Sequence, residues 1–236
     1  FEQLLLASTA MMSSFKAVFD LAGLFKNINQ TMVASLHIFD FLCEEAETED
    51  INDGIELEMV ENVKGNLVTV NNVSFSHENM EAVKEESLTI AKGKILVIND
   101  SSISGKSSFL RLLMRYWDVD SGQIHYYDKE YGAITLDYIN TNSLRKNIAF
   151  VGQQTWISQG TIAENIAMGA AGATMNQITE VAQKVGIHDF ITKLPHGYDT
   201  LTSEIGFSLS EGQMQRIGLA RAFLSDASLI LMDDPT

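Results

Sequence analysis

The run Ile95-Leu96-Val97-Ile98 leads into Asn99-Asp100-Ser101-Ser102-Ile103-Ser104-Gly105-Lys106-Ser107-Ser108, and a helical pattern follows at once. Few local patterns constrain a fold as much as this one. An apolar strand, a loop ending Gly-Lys-Ser and a helix form an arrangement in which backbone N–H groups and a helix N-terminus converge on phosphate oxygens. In such a loop Lys106 reaches the terminal phosphates and the Ser107 hydroxyl faces Mg²⁺. The general pattern wants glycine six residues before the lysine, and Asp100 stands there. Aspartate tolerates a left-handed backbone better than most residues, but its charge must turn away from a polyphosphate. Gly-Lys-Ser is a common tripeptide, so the loop needs support from elsewhere in the chain.

The remaining grammar is that of a folded α/β chain. Of 236 residues, 45% are hydrophobic, 20% are charged and two are proline, which excludes a disordered tail or a collagen-like repeat. A net charge of −15 argues against nucleic-acid binding, which needs a basic footprint. The single cysteine, Cys43, excludes an internal disulfide framework and fits a reducing compartment.

Residues 1–43 read as helix, with apolar side chains at three and four spacings: Met11, Phe15, Val18, Phe19, Ala22, then Met32, Val33, Leu36, Phe39. From the pattern alone this is a core-facing helix or the end of a membrane helix. The uncharged apolar stretch from Gln3 to Phe15 is short of the roughly 20 residues a bilayer span needs. An acidic run from Glu44 to Glu61 without Lys or Arg follows and reads as part of a solvated linker over 44–66. The chain starts on Phe1 and stops at Thr236 just after an apolar run and a turn, so both ends are expected to be cuts in a longer protein.

From Leu67 onward, strands are expected at Val68–Phe75, Leu88–Ile90, Lys94–Ile98, Ile148–Val151 and Leu229–Met232. Helices are expected at Lys106–Tyr116, Asn176–Val185 and Glu211–Phe223. Strands alternating with helices imply a mainly parallel sheet, with an antiparallel edge where the early strands crowd together.

The support for the loop comes near the C-terminus. Leu209-Ser210-Glu211-Gly212-Gln213 precedes Met214-Gln215-Arg216-Ile217-Gly218-Leu219-Ala220-Arg221-Ala222, and Leu229-Ile230-Leu231-Met232 runs into Asp233-Asp234-Pro235-Thr236. In order and spacing this closely resembles the ATP-binding cassette (ABC) family: the signature motif with its helix, then the second phosphate-site strand. The resemblance runs from about Leu67 to Thr236. Gln153 matches the family glutamine that contacts Mg²⁺ and the transmembrane domain, with Gly152 in place of the usual proline. Gly160-Thr161-Ile162, Glu164-Asn165-Ile166, Leu194 to Thr200 and Ser203-Glu204-Ile205-Gly206 are similar to exporter stretches. Leu36 to Leu42 resembles the end of an exporter's last membrane helix.

The resemblance implies a P-loop NTPase (ABC-type) α/β nucleotide-binding domain over 67–236, with an antiparallel β edge and a helical subdomain at about 154–222, preceded by a long α-helix. It implies ATP and Mg²⁺ as ligands. Ser102, Ser104, Gly105, Lys106, Ser107 and Ser108 would cradle phosphate. Ser107, Gln153 and Asp233 would hold the metal, and Asp234 with Gln153 would position the attacking water. Ser210, Gly212 and Gln213 would face a second subunit's ATP, and His77 would stack on adenine where the family often has tyrosine. An unassigned loop histidine is the other reading of His77. The implied partners are a transmembrane domain of the same chain and a second ABC subunit, in a heterodimer or a homodimer, at the plasma (inner) membrane with this domain on the cytoplasmic face.

Four departures fall on one nucleotide site: Asp100 and Ile103 for glycine, Asp234 for glutamate and His77 for tyrosine. In the signature, Glu211 replaces glycine, while Ser210, Gly212 and Gln213 remain. This pattern resembles the impaired member of an asymmetric exporter pair. A non-hydrolysing ATP-binding regulatory module or an inactive remnant is the alternative. A chromosome-maintenance ATPase would need a coiled coil between Lys106 and Ser210, and only about a hundred residues without sustained heptads lie there.

Overall fold

The computed structural model describes residues 2–43, 48, 50–77, 80–99, 105–203 and 209–234. The chain divides into two units, 1–47 and 48–236.

The first unit is one helix, α1 (Glu2–Cys43). Its 42 residues give a rod about 60 Å long at 1.5 Å per residue. Leu4, Met12, Phe39, Phe41 and Leu42 stand exposed along it. No described helix is long and apolar enough to cross a membrane.

The second unit holds two cores. Around the first lies a four-stranded antiparallel sheet in the order β2-β1-β3-β4, formed by β1 (Asn66–His77), β2 (Met80–Ala91), β3 (Ser121–Asp128) and β4 (Gly132–Thr135). Val68, Val70, Val73 and Phe75 of β1 and Ile124 and Tyr126 of β3 turn inward. They meet Phe109, Leu112 and Leu113 of α2 (Lys106–Leu113) in one apolar cluster. The fully buried Tyr126 donates its hydroxyl to the Leu113 carbonyl at 2.7 Å, which locks the end of α2 onto β3.

Two expectations are corrected here. The helix stops at Leu113, because Arg115 takes φ 53°, outside the right-handed helical region. Residues 94–99 form no strand. Among the described residues nothing pairs with them, and Ile95 is 94% exposed and Val97 76%. β-branched side chains favour an extended backbone, but a ladder also needs a partner. The parallel part of the fold is accordingly smaller than expected: β5 (Ile148–Val151) pairs with β6 (Leu229–Met232), from Ile148 opposite Leu229 to Val151 opposite Met232.

The second core lies among α4 (Ile162–Ala167), α5 (Met175–Lys184), α6 (His188–Ile191) and α7 (Glu211–Leu224). Ile162, Ile166, Ile187, Ile191 and Ile217 are fully buried there. Capping boxes start α4, α5 and α7, at Thr161 with Glu164, Thr174 with Gln177 and Ser210 with Gln213.

Much of the acidic run is docked on the domain. Leu57 and Met59 are buried. The strap is held by polar groups from α3 (Thr141–Asn147) and the β3–β4 hairpin. Leu57 donates its N–H to Ser143 Oγ at 2.7 Å, Asn147 Nδ2 donates to the Leu57 carbonyl at 2.9 Å, and Glu58 N–H donates to Asp128 Oδ2 at 2.7 Å. Alternating apolar residues inside an acidic run carry this docking, and net charge hides them.

Asp128 is the knot. Burial pushes its carboxyl up, but the N–H groups of Tyr131, Glu58, Glu130 and Lys129 outweigh that and hold it below the usual carboxylate range. A carboxyl depressed below its unfolded value of about 3.9 contributes stability that is complete above that value and lost as pH falls through the folded one. Asp128→Asn should therefore cost roughly 1–2 kcal/mol at neutral pH and flatten the acid limb of a thermal-unfolding series. A variant that keeps the wild-type acid limb would contradict this.

Candidate nucleotide site

Three helix or strand ends carry the candidate residues. The first is the start of α2. Its N-cap is Gly105, which offers no side chain to cap the first-turn N–H groups. Gly105 is buried, and a Cβ there would lie 2.5 Å from the Ala82 carbonyl oxygen, so the close approach to β2 admits only glycine. The first turn holds Lys106, Ser107 and Ser108 and no acid. Lys106 is exposed, and Ser107 and Ser108 are half-buried. An uncapped helix start with a lysine and two hydroxyls suits a polyphosphate. Asp100, Ser102, Ile103, Ser104, Glu204, Pro235 and Thr236 lie outside the described residues.

The second is the pair of strand ends β5 and β6. Their register places Gln153 beside the two acids that follow Met232. Asp233 N–H donates to the Val151 carbonyl at 2.9 Å, extending the ladder by one residue. Asp234 then turns into the left-handed region at φ 49°. Its carboxylate Oδ2 accepts from Gln153 Nε2 at 3.4 Å, and its carbonyl accepts from Gln215 Nε2 at 3.3 Å. The structure thus brings Gln153 and Asp234 together, with half-buried Asp233 next to them in the chain. No cluster of three or more His, Cys, Asp or Glu side chains that could hold a metal exists among the described residues. Mg²⁺ takes one or two carboxylates plus phosphate oxygens and water. The donor set of Ser107, Gln153 and Asp233 fits such an ion.

The third is the start of α7. Ser210 Oγ accepts from Gln213 N–H at 3.3 Å, and Gln213 Oε1 accepts from Ser210 N–H at 2.9 Å. Among the described residues no acceptor takes the Ser210 hydroxyl proton, and of the Gln213 side chain the amide oxygen serves as the cap. Gly212 is exposed, and a Cβ there would meet nothing within 4 Å, so its face is open.

His77 sits at the end of β1 and stacks on Trp117 with ring centroids 5.1 Å apart. Trp117 also stacks on Phe75 at 5.2 Å, and the Arg111 guanidinium lies 5.3 Å from its ring centre. The sequence reading missed Trp117 and Arg111. Their spacing, one on α2 and the other just beyond its end, was the available signal.

A lysine-bearing helix start and an acidic β6 terminus beside a glutamine are features that a P-loop nucleotide-binding domain requires. The chain belongs to the ABC transporter family, whose sequence profile matches residues 83–236. It is 42% identical, over its full length, to a probable ABC transporter ATP-binding/permease protein of Haemophilus influenzae, of which it spans 41%. It is 31% identical, over 97% of its length, to the ATP-dependent lipid A-core flippase of Syntrophus aciditrophicus, of which it spans 36%. Its structure is similar to that of a bacterial Atm1-family ABC exporter with ATP bound: TM-score 0.72 and 30% identity, over 89% of this chain and 35% of that one.

Proposed function

We propose that the chain is the ATP-binding and hydrolysing part of an ABC exporter subunit, and that its own nucleotide site turns over slowly. The observation that carries this reading is the meeting of Gln153 with Asp234 at the ends of β5 and β6. Residues 1–43 are then the C-terminal part of the last transmembrane helix, and 67–236 the nucleotide domain. The partners are the transmembrane domain of the same chain and a second ABC subunit, with a heterodimer favoured by the impaired site. The place of action is the plasma (inner) membrane, with this domain on its cytoplasmic face.

In this reading Lys106 and the first-turn N–H groups of α2 bind the β- and γ-phosphates. Ser107, Gln153 and Asp233 hold Mg²⁺, which when bound neutralises charge on those phosphates. Asp234 orients the attacking water by accepting its hydrogen bond, but one methylene short of the usual glutamate. Positioning dominates phosphoryl transfer, so the lost reach slows the step. Ser210 and the Gly212 N–H, at the start of α7, serve the γ-phosphate of the partner's site.

The alternative is a regulatory module that binds ATP without hydrolysing it, and the shortened Asp234 favours it. Binding of trinitrophenyl-ATP to the full-length subunit tests the part common to both. We expect Mg²⁺-dependent binding that weakens about 10-fold or more in Lys106→Ala, since a charge-assisted contact is removed. Absence of binding in the unsubstituted subunit would sink both readings.

A further inference from the structure

Between Gln153 and α4 the chain runs as a loop, and one side chain of α7 fastens it. Arg221 Nη1 donates to the Trp156 carbonyl at 2.8 Å. Its Nε donates to the Asn165 carbonyl at 2.7 Å, and its Nη2 to Asn165 Oδ1 at 2.9 Å. Asn165, itself 1% exposed, grips the same loop: Oδ1 accepts from Ser158 N–H at 2.9 Å, while Nδ2 donates to the Ser158 carbonyl at 3.1 Å and the Thr161 carbonyl at 2.9 Å. Both lone pairs of Oδ1 and both Nδ2 protons are therefore used.

One turn earlier on α7, buried Gly218 faces Thr155. A Cβ there would lie 2.7 Å from Thr155 Oγ1 and 3.1 Å from its Cγ2. Loop and helix thus touch backbone to side chain at Gly218 and are tied at Arg221. Among the described residues every partner of the Arg221 guanidinium is a neutral oxygen. A half-buried arginine that meets no carboxylate gains little from Coulomb attraction, and its planar fork is suited to fixing geometry. Burial also lowers its affinity for a proton.

We infer that Arg221 is a positioning residue of the nucleotide site, holding the 153–165 segment against α7 so that Gln153 stays set against Asp234. The inference rests on the reading of Gln153 as a nucleotide-site residue, and Arg221 itself touches no nucleotide in it.

Two variants of the full-length subunit, assembled with its partner, test it. Arg221→Lys leaves one point donor where a three-bond fork stood. Gly218→Ala pushes the loop off α7 from the other side while improving helix propensity, so it keeps the assay informative if the lysine variant folds poorly. The first readout is amide hydrogen–deuterium exchange by mass spectrometry. For both variants we expect exchange in peptides covering 153–165 to rise about 10-fold, with peptides covering 178–191 unchanged. The second is ATP turnover of each variant subunit without its partner, which reads this chain's own site; there kcat should fall about 10-fold with KM for ATP within about twofold, since only positioning is lost.

Equal acceleration of both peptide sets would show that Arg221 merely supports the second core, and would overturn the inference. So would unchanged exchange at 153–165, or a loss confined to KM. If the unsubstituted subunit alone hydrolyses no ATP, the hydrolysis reading fails by itself, and the exchange result still decides whether Arg221 pins the loop.

Discussion

Asp234→Glu should raise the ATP turnover of the full-length subunit about 10-fold or more, because phosphoryl transfer depends on placing the water. The change adds one methylene, about 1.5 Å of reach. Asp234 stands at the end of β6, with its carboxylate on Gln153 and its carbonyl on Gln215. The position is therefore supported, and only the side chain is short. The same change should lower stability slightly. Asp234 sits at φ 49°, where aspartate is better tolerated than glutamate, so glutamate should cost on the order of 1 kcal/mol. Turnover rising while stability falls is an unusual pair of signs, and a general repair of the domain would not produce it. Turnover that stays flat or falls would show that reach at Asp234 does not limit the reaction.

The second large effect is an inequality between two sites. In the assembled pair, Lys106→Ala should reduce turnover less than about fivefold, while Ser210→Asp should reduce it more than about 100-fold, the scale of losing aligned charge stabilisation at a phosphate. In the proposed function Lys106 serves this chain's own slow site, whereas Ser210 serves the partner's. Aspartate is as good an N-cap as serine, so it preserves the Gln213 capping box. What it changes is the group offered to a γ-phosphate, from a hydroxyl donor to a carboxylate. Steady-state turnover of the two assemblies checks this, and a Lys106→Ala loss as large as the Ser210→Asp loss would contradict the asymmetry.

The site was legible in the sequence where backbone geometry is written into residue type. Gly105-Lys106 implies a helix start, which opens α2, and Ser210-Glu211 implies another, which opens α7. Both appear in the structure as the residues imply. The run Ile148–Val151 and the run Leu229–Met232 are short and apolar, and each finds the other as a parallel partner.

What was not legible depends on partners distant in sequence. Residues 95–97 have the same strand composition, yet nothing among the described residues pairs with them. β3 was missed because His125, Tyr126, Tyr127 and Asp128 look polar. Their alternation buries Tyr126 and Asp128 while His125 and Tyr127 face the other way. The docked strap at 51–60 was hidden by its charge, and its anchors Ser143, Asn147 and Asp128 lie 70 or more residues away. Arg221 gave no signal either, since a helix arginine followed by alanine reads as an ordinary surface residue until Asn165 and the Trp156 carbonyl are placed against it.

The most direct test of the central claim is the steady-state ATP turnover of the full-length subunit, purified alone and then mixed with the ABC subunit it assembles with. Slow turnover alone, rising at least 10-fold in the pair, is the result expected of one impaired and one competent site. Brisk hydrolysis by this subunit alone would contradict it.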